Sequence, residues 1–431
     1  MLEMFGCPPP DSTPALGALG VMSAEGRHSF RSVIRSTWMP DSEATANPNR
    51  LLVRFVLRGL KASVDVVAEA TEFRDVVFVA ALATLPRTVG PLHSLFGWWR
   101  CTLSAWPNAK LVGKADDDVW IDLPGIEWQL LATRRALRGR PRESTLPAED
   151  RLPLEDRLCW GLMETFHWSF EDRRPYGFRF KYGYPGASCY NTPDLNKSGT
   201  IRSSGPFHFP KGPLFFLSRS LVADIVRADG EQQLDDITRT FLTGGVNSSN
   251  TTARVRGVLP WDDVFTGMKL ATVVAGSGLV AVHSGLLAFA EPWGAYPGYF
   301  LPRSSTLLWH ETLKLTTRLG LVHSWAHRRK ANRCPSPPLS LSCDTSYRSC
   351  TGAPWTRCVT DIDHKAAGCD VEPRQNWIDD ACPPEWLKYE LNSTSHVLSL
   401  CKQLMAHPSN SSSGSQRQWT WRSSRDAPAE I

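Results

Sequence analysis

The part of the chain up to Asp118 alternates short β-rich runs with stretches of helical length, and this alternation constrains the fold more than any other feature. The predicted strands are Ala18–Ser23, Leu51–Leu57, Asp75–Ala80 and Ala109–Gly113, and the predicted helices are His28–Trp38, Ala62–Phe73 and Pro91–Trp106. Strands that alternate with helices pair in parallel and carry helices on both faces of the sheet. The sequence therefore predicts an α/β fold with a mostly parallel central sheet flanked by helices, and ligands beyond the carboxyl ends of its strands.

Three consecutive carboxylates follow the fourth predicted strand, at such a carboxyl end. Asp116, Asp117 and Asp118 come after Lys114 and before another β-rich run. Adjacent like charges raise one another's pKa and cost free energy unless a cation compensates them. A divalent ion with oxygen ligands supplies that cation and could bridge to a diphosphate. A solvated acidic turn is the alternative, but the apolar flanks and the strand-end position favour a metal site.

A second acidic motif lies at Trp261-Asp262-Asp263-Val264-Phe265-Thr266-Gly267. The acid pair precedes an apolar stretch, Val264–Ala275, that is predicted to be helical. Asp at a helix start often serves only as a cap, which accounts for one of the two residues. A carboxylate at the same place could instead act as a general base toward a sugar hydroxyl.

Three later histidines could complete a metal shell: His283, His310 and His323. His283 and His310 each follow an apolar run, as a ligand at a strand end would. A lone histidine is more often structural than a ligand, and the residues alone leave the choice among the three open.

Charge and composition exclude some classes of protein. The net charge of +5 is spread along 431 residues in short basic runs, which does not indicate nucleic-acid binding. The seventeen tryptophans are typical of an apolar core, and also of sugar-binding grooves.

The cysteines are concentrated in the C-terminal part of the chain. Seven of the eleven lie beyond residue 331, at wide spacings with no C-x-x-C pair, which favours disulfides over a zinc site. We therefore predict a disordered N-terminal segment (1–17), a main α/β domain (18–330), a Cys-rich disulfide-stapled extension (331–408) and a disordered tail (409–431).

The cysteines and five N-x-[ST] sequons together indicate the secretory pathway. No apolar run reaches the 18 or more residues of a membrane-spanning helix. The expected location is the Golgi lumen, as a type II membrane protein if an N-terminal anchor is missing from this chain, with a secreted form as the alternative.

Four blocks of the sequence resemble glycosyltransferase family 31, the β1,3-galactosyltransferase and β1,3-N-acetylglucosaminyltransferase group. They occur in the family's order over roughly residues 18–325, and the Cys-rich part lies outside the likeness. The blocks are Arg31–Trp38, similar to R-x-x-I-R-x-T-W; Arg54–Gly59, similar to R-F-V-L-G; Lys114–Val119, similar to K-x-D-D-D-V; and Trp261–Gly267, similar to E-D-V-x-x-G with Asp262 in place of Glu.

The resemblance implies a GT-A type fold for the main domain, a UDP-sugar donor, Mn²⁺ with Mg²⁺ as the alternative, and inversion at the anomeric carbon. It also implies roles for individual residues. Asp263 would be the catalytic base, and Asp118 the principal metal ligand, completed by His310 or, second, His283. Donor binding would fall to Asp116, Asp117, Lys114, Arg31 and Arg35, although the two arginines could instead brace the first helix. Asp262, Gly212 and Trp261 would line the acceptor side.

The acceptor-side block departs from the family pattern. The family's Y-P-x-Y-C-x-G-x-G-Y-V-L-S is represented here by Phe209–Ser218, which lacks the cysteine and one glycine. The function expected from the resemblance is transfer of a hexose, galactose or N-acetylglucosamine favoured, from a UDP-sugar to a hydroxyl of a glycan, glycoprotein or glycolipid acceptor, in β1,3 linkage. A catalytically inactive, secreted carbohydrate-binding protein on the same scaffold is the alternative. A metal-dependent phosphoesterase is disfavoured, because the basic stripe and further His/Asp clusters are missing.

Overall fold

The fold is taken from a computed structural model of the whole chain. The described residues are 6–39, 47–59, 62–80, 85, 89–138, 153–169, 174–175, 203–228, 234, 262–273, 279–284, 289–290, 307–310, 319, 322–323, 339–344 and 355–362. The chain divides into two compact units, Met1–Glu372 and Pro373–Ile431. The second unit lies wholly outside the described residues.

Six helices and thirteen strands make up the described part of the first unit. The helices are α1 His28–Ser36, α2 Val64–Phe73, α3 Gly90–Ala105, α4 Leu123–Leu137, α5 Arg219–Arg227 and α6 Asp262–Val273. The strands are β1 Gly17–Ser23, β2 Leu51–Arg58, β3 Val76–Val79, β4 Leu111–Asp116, β5 Val119–Ile121, β6 Leu158–Ser169, β7 Arg174–Pro175, β8 Ser203–Ser218, β9 Leu279–His283, β10 Phe289–Ala290, β11 Leu308–His310, β12 Leu339–Asp344 and β13 Trp355–Ile362.

The N-terminal strands form a parallel block in the order β4-β1-β2-β3. In its register Met22 of β1 pairs with Asp116 of β4 on one side and with Val56 of β2 on the other. β4 is buried from Leu111 to Ala115, and only its last residue, Asp116, reaches the surface. The register therefore places the acidic triplet at the carboxyl edge of this block.

The rest of the main sheet extends from β4 in the order β8-β6-β9-β13-β12. β8 runs antiparallel to β4 and β6, and β9 runs parallel to β6 and β13. Parallel pairs form one end of the sheet, and helices such as α3 and α6 pack on it. The predicted α/β class, with a mostly parallel central sheet flanked by helices as expected of a GT-A type fold, is confirmed.

A second, three-stranded sheet has the order β10-β11-β5. β5 begins directly after the acidic triplet and pairs antiparallel with β11, so that Val119 lies opposite His310. The indole of Trp38 donates to the Val119 carbonyl over 3.1 Å and ties α1 to this sheet. These contacts fix the position of the chain just after Asp118.

α3 supplies the centre of the hydrophobic core. Phe96, Trp98 and Trp99 are fully buried. Phe96 makes an edge-to-face contact with Phe265 of α6 at 5.5 Å between ring centroids. Aromatic pairs in this geometry add to the stabilisation from burial. The contact anchors α6, which carries the second acidic motif, to the main core.

A disulfide is found in the N-terminal segment and another in the Cys-rich segment. Disorder is predicted for residues 1–17; among those that are described, Cys7 forms a disulfide with Cys101 of α3 and the Leu16 amide donates to the Arg50 carbonyl. In the Cys-rich segment β12 and β13 are joined by a Cys343–Cys358 disulfide and extend the main sheet. The boundary at residue 331 and the disorder of residues 409–431 remain predictions.

Within the described residues, no helix combines the length and apolar character needed to cross a membrane.

Candidate active site

The acidic triplet lies in the turn between β4 and β5. Asp116 is the last residue of β4, and its side chain is about a third exposed, at 34%. Asp118 is 2% exposed, and the Asp117 side chain is also mostly buried. Burial raises the pKa of Asp116; the Lys114 ammonium opposes this rise, and the Asp118 carboxylate adds to it. The turn therefore concentrates negative charge where water solvates it poorly.

His310 reaches this turn from a distant part of the sequence. The pairing of β11 with β5 carries it to the acidic turn, where its Nε2 lies 3.4 Å from Asp118 Oδ1. Asp116, Asp118 and His310 each offer one potential ligand atom, and these atoms lie within 4.8 Å of one another. Of the three histidines that the sequence leaves open, His310 has a described side-chain contact with the triplet.

The other two histidines occupy different places. His283 ends β9, where it pairs with Gly161 of β6 and Val359 of β13. Its side chain lies outside the described residues, so its role as a ligand stays a prediction. His323 accepts a hydrogen bond at Nδ1 from the Trp120 indole over 3.3 Å. That contact ties His323 to β5, the strand that follows the triplet.

The three clustered groups fit a divalent ion. Two ligands of one ion at about 2.1 Å lie roughly 3 to 4 Å apart, close to the separation of His310 and Asp118. Two carboxylates with one imidazole suit Mn²⁺ or Zn²⁺ and are tolerated by Mg²⁺. The predicted metal site therefore has a matching set of ligands, although the geometry does not select the ion.

Asp117 has a different set of partners from its two neighbours. It accepts hydrogen bonds from Ser23 Oγ over 2.7 Å and from Arg27 Nε and Nη2 over 3.1 and 2.6 Å. Arg27 Nη2 also lies 3.6 Å from Asp118 Oδ2, and its guanidinium stacks on the Phe30 ring at 3.7 Å. Burial opposes the charged form of Arg27, but its hydrogen bonds with Asp117 and the nearby carboxylates raise its pKa above the ordinary value.

Arg27 is a site residue that the sequence pattern does not reveal. It precedes the R-x-x-I-R block, and no spacing rule links it to a carboxylate 90 positions away. Its one local signal is its place just before α1, after the end of β1, because the carboxyl ends of β1 and β4 meet at the same edge of the sheet.

Lys114 lies beneath the triplet and joins it to the second acidic motif. Its ammonium is 2.6 Å from Asp116 Oδ1, 2.6 Å from the Gly212 carbonyl oxygen and 3.0 Å from Asp262 Oδ2. Its side chain is only 2% exposed. Burial alone would lower the pKa of Lys114, but the carboxylates of Asp116 and Asp262 outweigh burial and raise it.

The second acidic motif begins α6, with Asp262 and Asp263 in the first turn of the helix. Asp263 Oδ1 accepts from the Val264 amide over 2.7 Å, and Oδ2 accepts from the Gly212 amide of β8 over 3.1 Å. Burial, reinforced by the neighbouring Asp262 carboxylate, raises the pKa of Asp263 to about 7. A carboxyl with that pKa exchanges protons near neutral pH, as a general base must.

Two glycines allow this arrangement. A Cβ at Gly212 would lie 3.2 Å from Asp263 Oδ2 and 3.5 Å from Lys114 Nζ. A Cβ at Gly267 would lie 2.7 Å from the His208 carbonyl oxygen, because α6 crosses β8 there. The structure thus brings Gly212 and Asp262, two predicted acceptor-side residues, next to the proposed base. Trp261, the third, lies outside the described residues.

Arg31 and Arg35 make their described contacts outside the acidic triplet, and their assignment to the donor stays a prediction. Arg31 is fully buried, and its five N–H groups are used on Glu69, Ser23 and the carbonyls of Ala24 and Glu25. Arg35 pairs with Glu69 and Asp75 at 2.8 Å. Both arginines therefore hold α1 against α2 and β3, the bracing role that the sequence leaves open.

Comparison with known proteins identifies part of the chain. The family model described as Galactosyltransferase matches residues 29–146. No curated protein matches the chain in sequence. Similar solved structures include the galactosyltransferase LgtC in complex with donor and acceptor sugar analogs (10% identity, TM-score 0.34, covering 72% of this chain and 95% of that one). Mannose-1-phosphate geranyltransferase from Thermus thermophilus is a second (13% identity, TM-score 0.25, covering 58% and 70%).

The family match covers the first three of the four blocks on which the resemblance rests. It includes Lys114 and the whole acidic triplet, and it ends before Asp263 and His310. The likeness to the solved structures is too remote to add to this assignment. Over residues 29–146 the chain matches the galactosyltransferase domain, the domain of glycosyltransferase family 31, and this match supports a glycosyltransferase.

Proposed function

We propose that the protein is an inverting hexosyltransferase that moves a sugar from a UDP-sugar to a hydroxyl of a glycan acceptor. One observation supports this proposal most directly: the buried Lys114 contacts both the acidic triplet and the second acidic motif. A three-ligand cluster for a divalent ion lies on one side of Lys114, and a carboxylate suited to be a base is held on the other side. Nucleotide-sugar transfer needs both, since one site holds a diphosphate and the other activates an acceptor.

The charge balance supports an anionic donor bound together with a dication. In the contacts of the described residues, five carboxylates, from Asp116 to Asp118 and at Asp262 and Asp263, lie with two permanent cations, Arg27 and Lys114. Asp116, Asp118 and His310 would hold the ion, which when bound would neutralise charge on the departing diphosphate. A diphosphate alone would be repelled from this surplus of carboxylates, so donor and ion are expected to bind together.

The acceptor would be activated by Asp263. Each oxygen of its carboxylate accepts one backbone N–H and keeps a lone pair for a proton. Asp263 takes the proton of the acceptor hydroxyl, and that oxygen forms a bond to C1 of the sugar. The bond from C1 to the diphosphate oxygen breaks on the opposite face, and its electron pair leaves with UDP. One displacement inverts the anomeric configuration.

The finer features of the proposal derive from the family resemblance. Galactose or N-acetylglucosamine is favoured as the sugar, β1,3 as the linkage and Mn²⁺ as the ion, with Mg²⁺ as the alternative. We further propose the Golgi lumen as the location. The Cys7–Cys101 and Cys343–Cys358 disulfides support an oxidising compartment.

A donor screen tests the proposal directly. Purified protein is incubated with UDP-galactose, UDP-N-acetylglucosamine and other UDP-hexoses, with Mn²⁺, Mg²⁺ or EDTA, and with glycan acceptors, and UDP release and product linkage are measured. We expect metal-dependent transfer from one donor and a β-linked product. Glycan binding without UDP release under any condition would instead support the inactive carbohydrate-binding alternative.

A substitution at the base separates binding from chemistry. Asp263→Asn is expected to lower turnover by about 10²- to 10⁴-fold, the usual contribution of a positioned base, while metal-dependent UDP binding persists. Glu72→Gln, at an exposed position on α2, is the matched control and should change neither. Near-normal transfer by Asp263→Asn would show that the base is another residue.

A further inference from the structure

We infer that Lys114 is a positioning residue that holds the metal-binding carboxylate Asp116 and the proposed base Asp263 in one fixed arrangement, and that it does not itself contact the donor. This inference rests on the proposed function and replaces the donor-binding role that the sequence predicts for Lys114. Three observations support the inference. They are the contacts of the Lys114 ammonium, the hydrogen bonds that connect it through Gly212 to Asp263, and the burial of the Lys114 side chain.

Protein oxygens closely surround the Lys114 ammonium. It donates hydrogen bonds to Asp116 Oδ1 and to the Gly212 carbonyl over 2.6 Å each, and it forms an ion pair with Asp262 Oδ2 at 3.0 Å. The side chain is 2% exposed, so a phosphate could approach only by displacing one of these partners. Hydrogen bonds between charged groups are stronger than neutral ones, which makes such displacement costly.

A short path of contacts leads from Lys114 to the base. The Gly212 carbonyl accepts from Lys114, and the Gly212 amide donates to Asp263. Asp116 Oδ1 is held at the other side of the same ammonium. A shift of the Lys114 ammonium would therefore displace the Asp116 carboxylate and, through the β8 backbone at Gly212, the Asp263 carboxylate.

The positive charge of Lys114 also holds the two acidic motifs together. Lys114 is the cation between the β4 carboxylates and the α6 carboxylates in the described structure. Without it, Asp262 would keep its 14% exposed carboxylate beside Asp116 and Asp263 with no compensating charge. Repulsion would then separate β4 from the start of α6, and the two sites would lose their common geometry.

The primary test is Lys114→Met, which keeps the length of the side chain and removes its charge and donors. Turnover should fall about 100-fold, the cost of misplacing a reacting group by about 1 Å. The Mn²⁺ concentration for half-maximal activity should rise about tenfold, as with other residues that orient a metal ligand. Lys110→Met, at an exposed position one residue before β4, is the matched control and should behave as wild type. A rise in the donor KM alone, with turnover and Mn²⁺ dependence unchanged, would mean that Lys114 contacts the donor and would overturn the inference.

A compensating substitution distinguishes positioning from donor contact. Adding Asp262→Asn to Lys114→Met removes the carboxylate left without its counter-charge, and should restore part of the Mn²⁺ affinity and of the turnover. A lost donor contact could not be recovered in this way, so an absence of any recovery would contradict the positioning role.

Gly212→Ala covers the case in which Lys114→Met does not fold. The added methyl would crowd Asp263 Oδ2 at 3.2 Å and make an ordinary contact with Lys114 Nζ at 3.5 Å, while all charges remain. Turnover should fall with little change in the UDP affinity, and full turnover would overturn the inference.

Direct Mn²⁺ binding by calorimetry separates this inference from the proposed function. If no donor supports transfer but Mn²⁺ binds wild type and binds Lys114→Met about tenfold more weakly, the proposed function fails while the positioning of Asp116 stands. Equal Mn²⁺ affinity in both proteins would overturn the positioning role whether or not transfer is seen.

Discussion

Two clusters of charged side chains are linked through the Ser23 hydroxyl, which donates to Asp117 and accepts from Arg31, and the two clusters differ in their balance of charge. In the brace, Arg31 and Arg35 face Glu69 and Asp75, two cations against two carboxylates, all largely buried. In the described part of the acidic site, five carboxylates lie with two permanent cations, and the Asp116 side chain is a third exposed. A balanced, closed cluster stabilises the fold, whereas a cluster with a surplus of one charge and an opening to solvent is ready to bind an ion. Charge balance and exposure, more than the presence of charged residues, distinguish a site from a brace.

The largest expected effect comes from removing a metal ligand. Asp118→Asn should abolish Mn²⁺-dependent UDP binding and transfer, because Asp118 lies between His310 and Arg27 at the centre of the cluster. Since the substitution also relieves the surplus of negative charge, the thermal midpoint without metal should not fall. Calorimetric UDP titration with and without Mn²⁺, together with thermal unfolding, measures both effects. UDP binding that keeps its Mn²⁺ dependence would remove Asp118 from the ligand set.

Breaking the brace should have the opposite signature. Arg31→Met leaves the buried Glu69 short of one partner, and removing one member of a buried ion pair costs about 3–5 kcal/mol of unfolding free energy. Mn²⁺ affinity of the folded fraction should stay close to that of wild type, because Arg31 does not contact the triplet. Urea unfolding followed by tryptophan fluorescence provides the measurement, with the exposed Arg135→Met as control. A stable variant with weakened donor binding would support the donor-binding role predicted for Arg31.

The acidic site should also respond to pH in the neutral range. The pKa of Asp263 is raised to about 7, and a base must be ionised to accept a proton. Below that pH the ionised fraction falls tenfold for each unit, so kcat/KM should fall about tenfold per unit on the acid side. The measurement needs saturating Mn²⁺ at each pH, because protonation of the ligands also releases metal. A profile that stays flat down to about pH 5.5 would contradict the raised pKa.

The smallest expected effect is on the Mn²⁺ affinity, when removal of a cation increases the surplus of negative charge at the acidic site. Arg27→Gln removes a cation whose Nη2 is 3.6 Å from Asp118. Mn²⁺ should then bind about tenfold more tightly, roughly the size of one charge interaction near a protein surface. Arg135→Gln, on the exposed face of α4, is the control. Unchanged or weaker Mn²⁺ binding would show that orientation of Asp117 by Arg27 matters more than its charge.

Local pattern is sufficient to predict most of the N-terminal elements. The helix predicted at Pro91–Trp106 is observed at Gly90–Ala105. The strand predicted at Leu51–Leu57 is observed one residue longer, at Leu51–Arg58. Apolar runs and breakers such as Gly59 determine these elements within a short stretch of chain. The fourth strand is predicted to end at Gly113 but continues to Asp116, which pairs with Met22 of β1 and accepts a hydrogen bond from Lys114.

Elements whose partners are distant in sequence are harder to predict. The sequence pattern does not identify β6, β12 and β13, because their strand character depends on pairing across the sheet. The contacts of Arg27 and the packing of Lys114 against Gly212 have the same origin. The family resemblance supplies the identities of Asp118, His310 and Asp263, and the structure supplies the reason why they share one site.

The pairing of β11 with β5 has a consequence for how such an enzyme can vary. His310 reaches the acidic turn because its strand is hydrogen-bonded in register opposite Val119. Two further strands, β9 and β10, lie between α6 and β11 and pair within the two sheets. A change of chain length that keeps His310 at the acidic turn therefore has to fall in the connections between these strands, because the strand pairings set the position of His310.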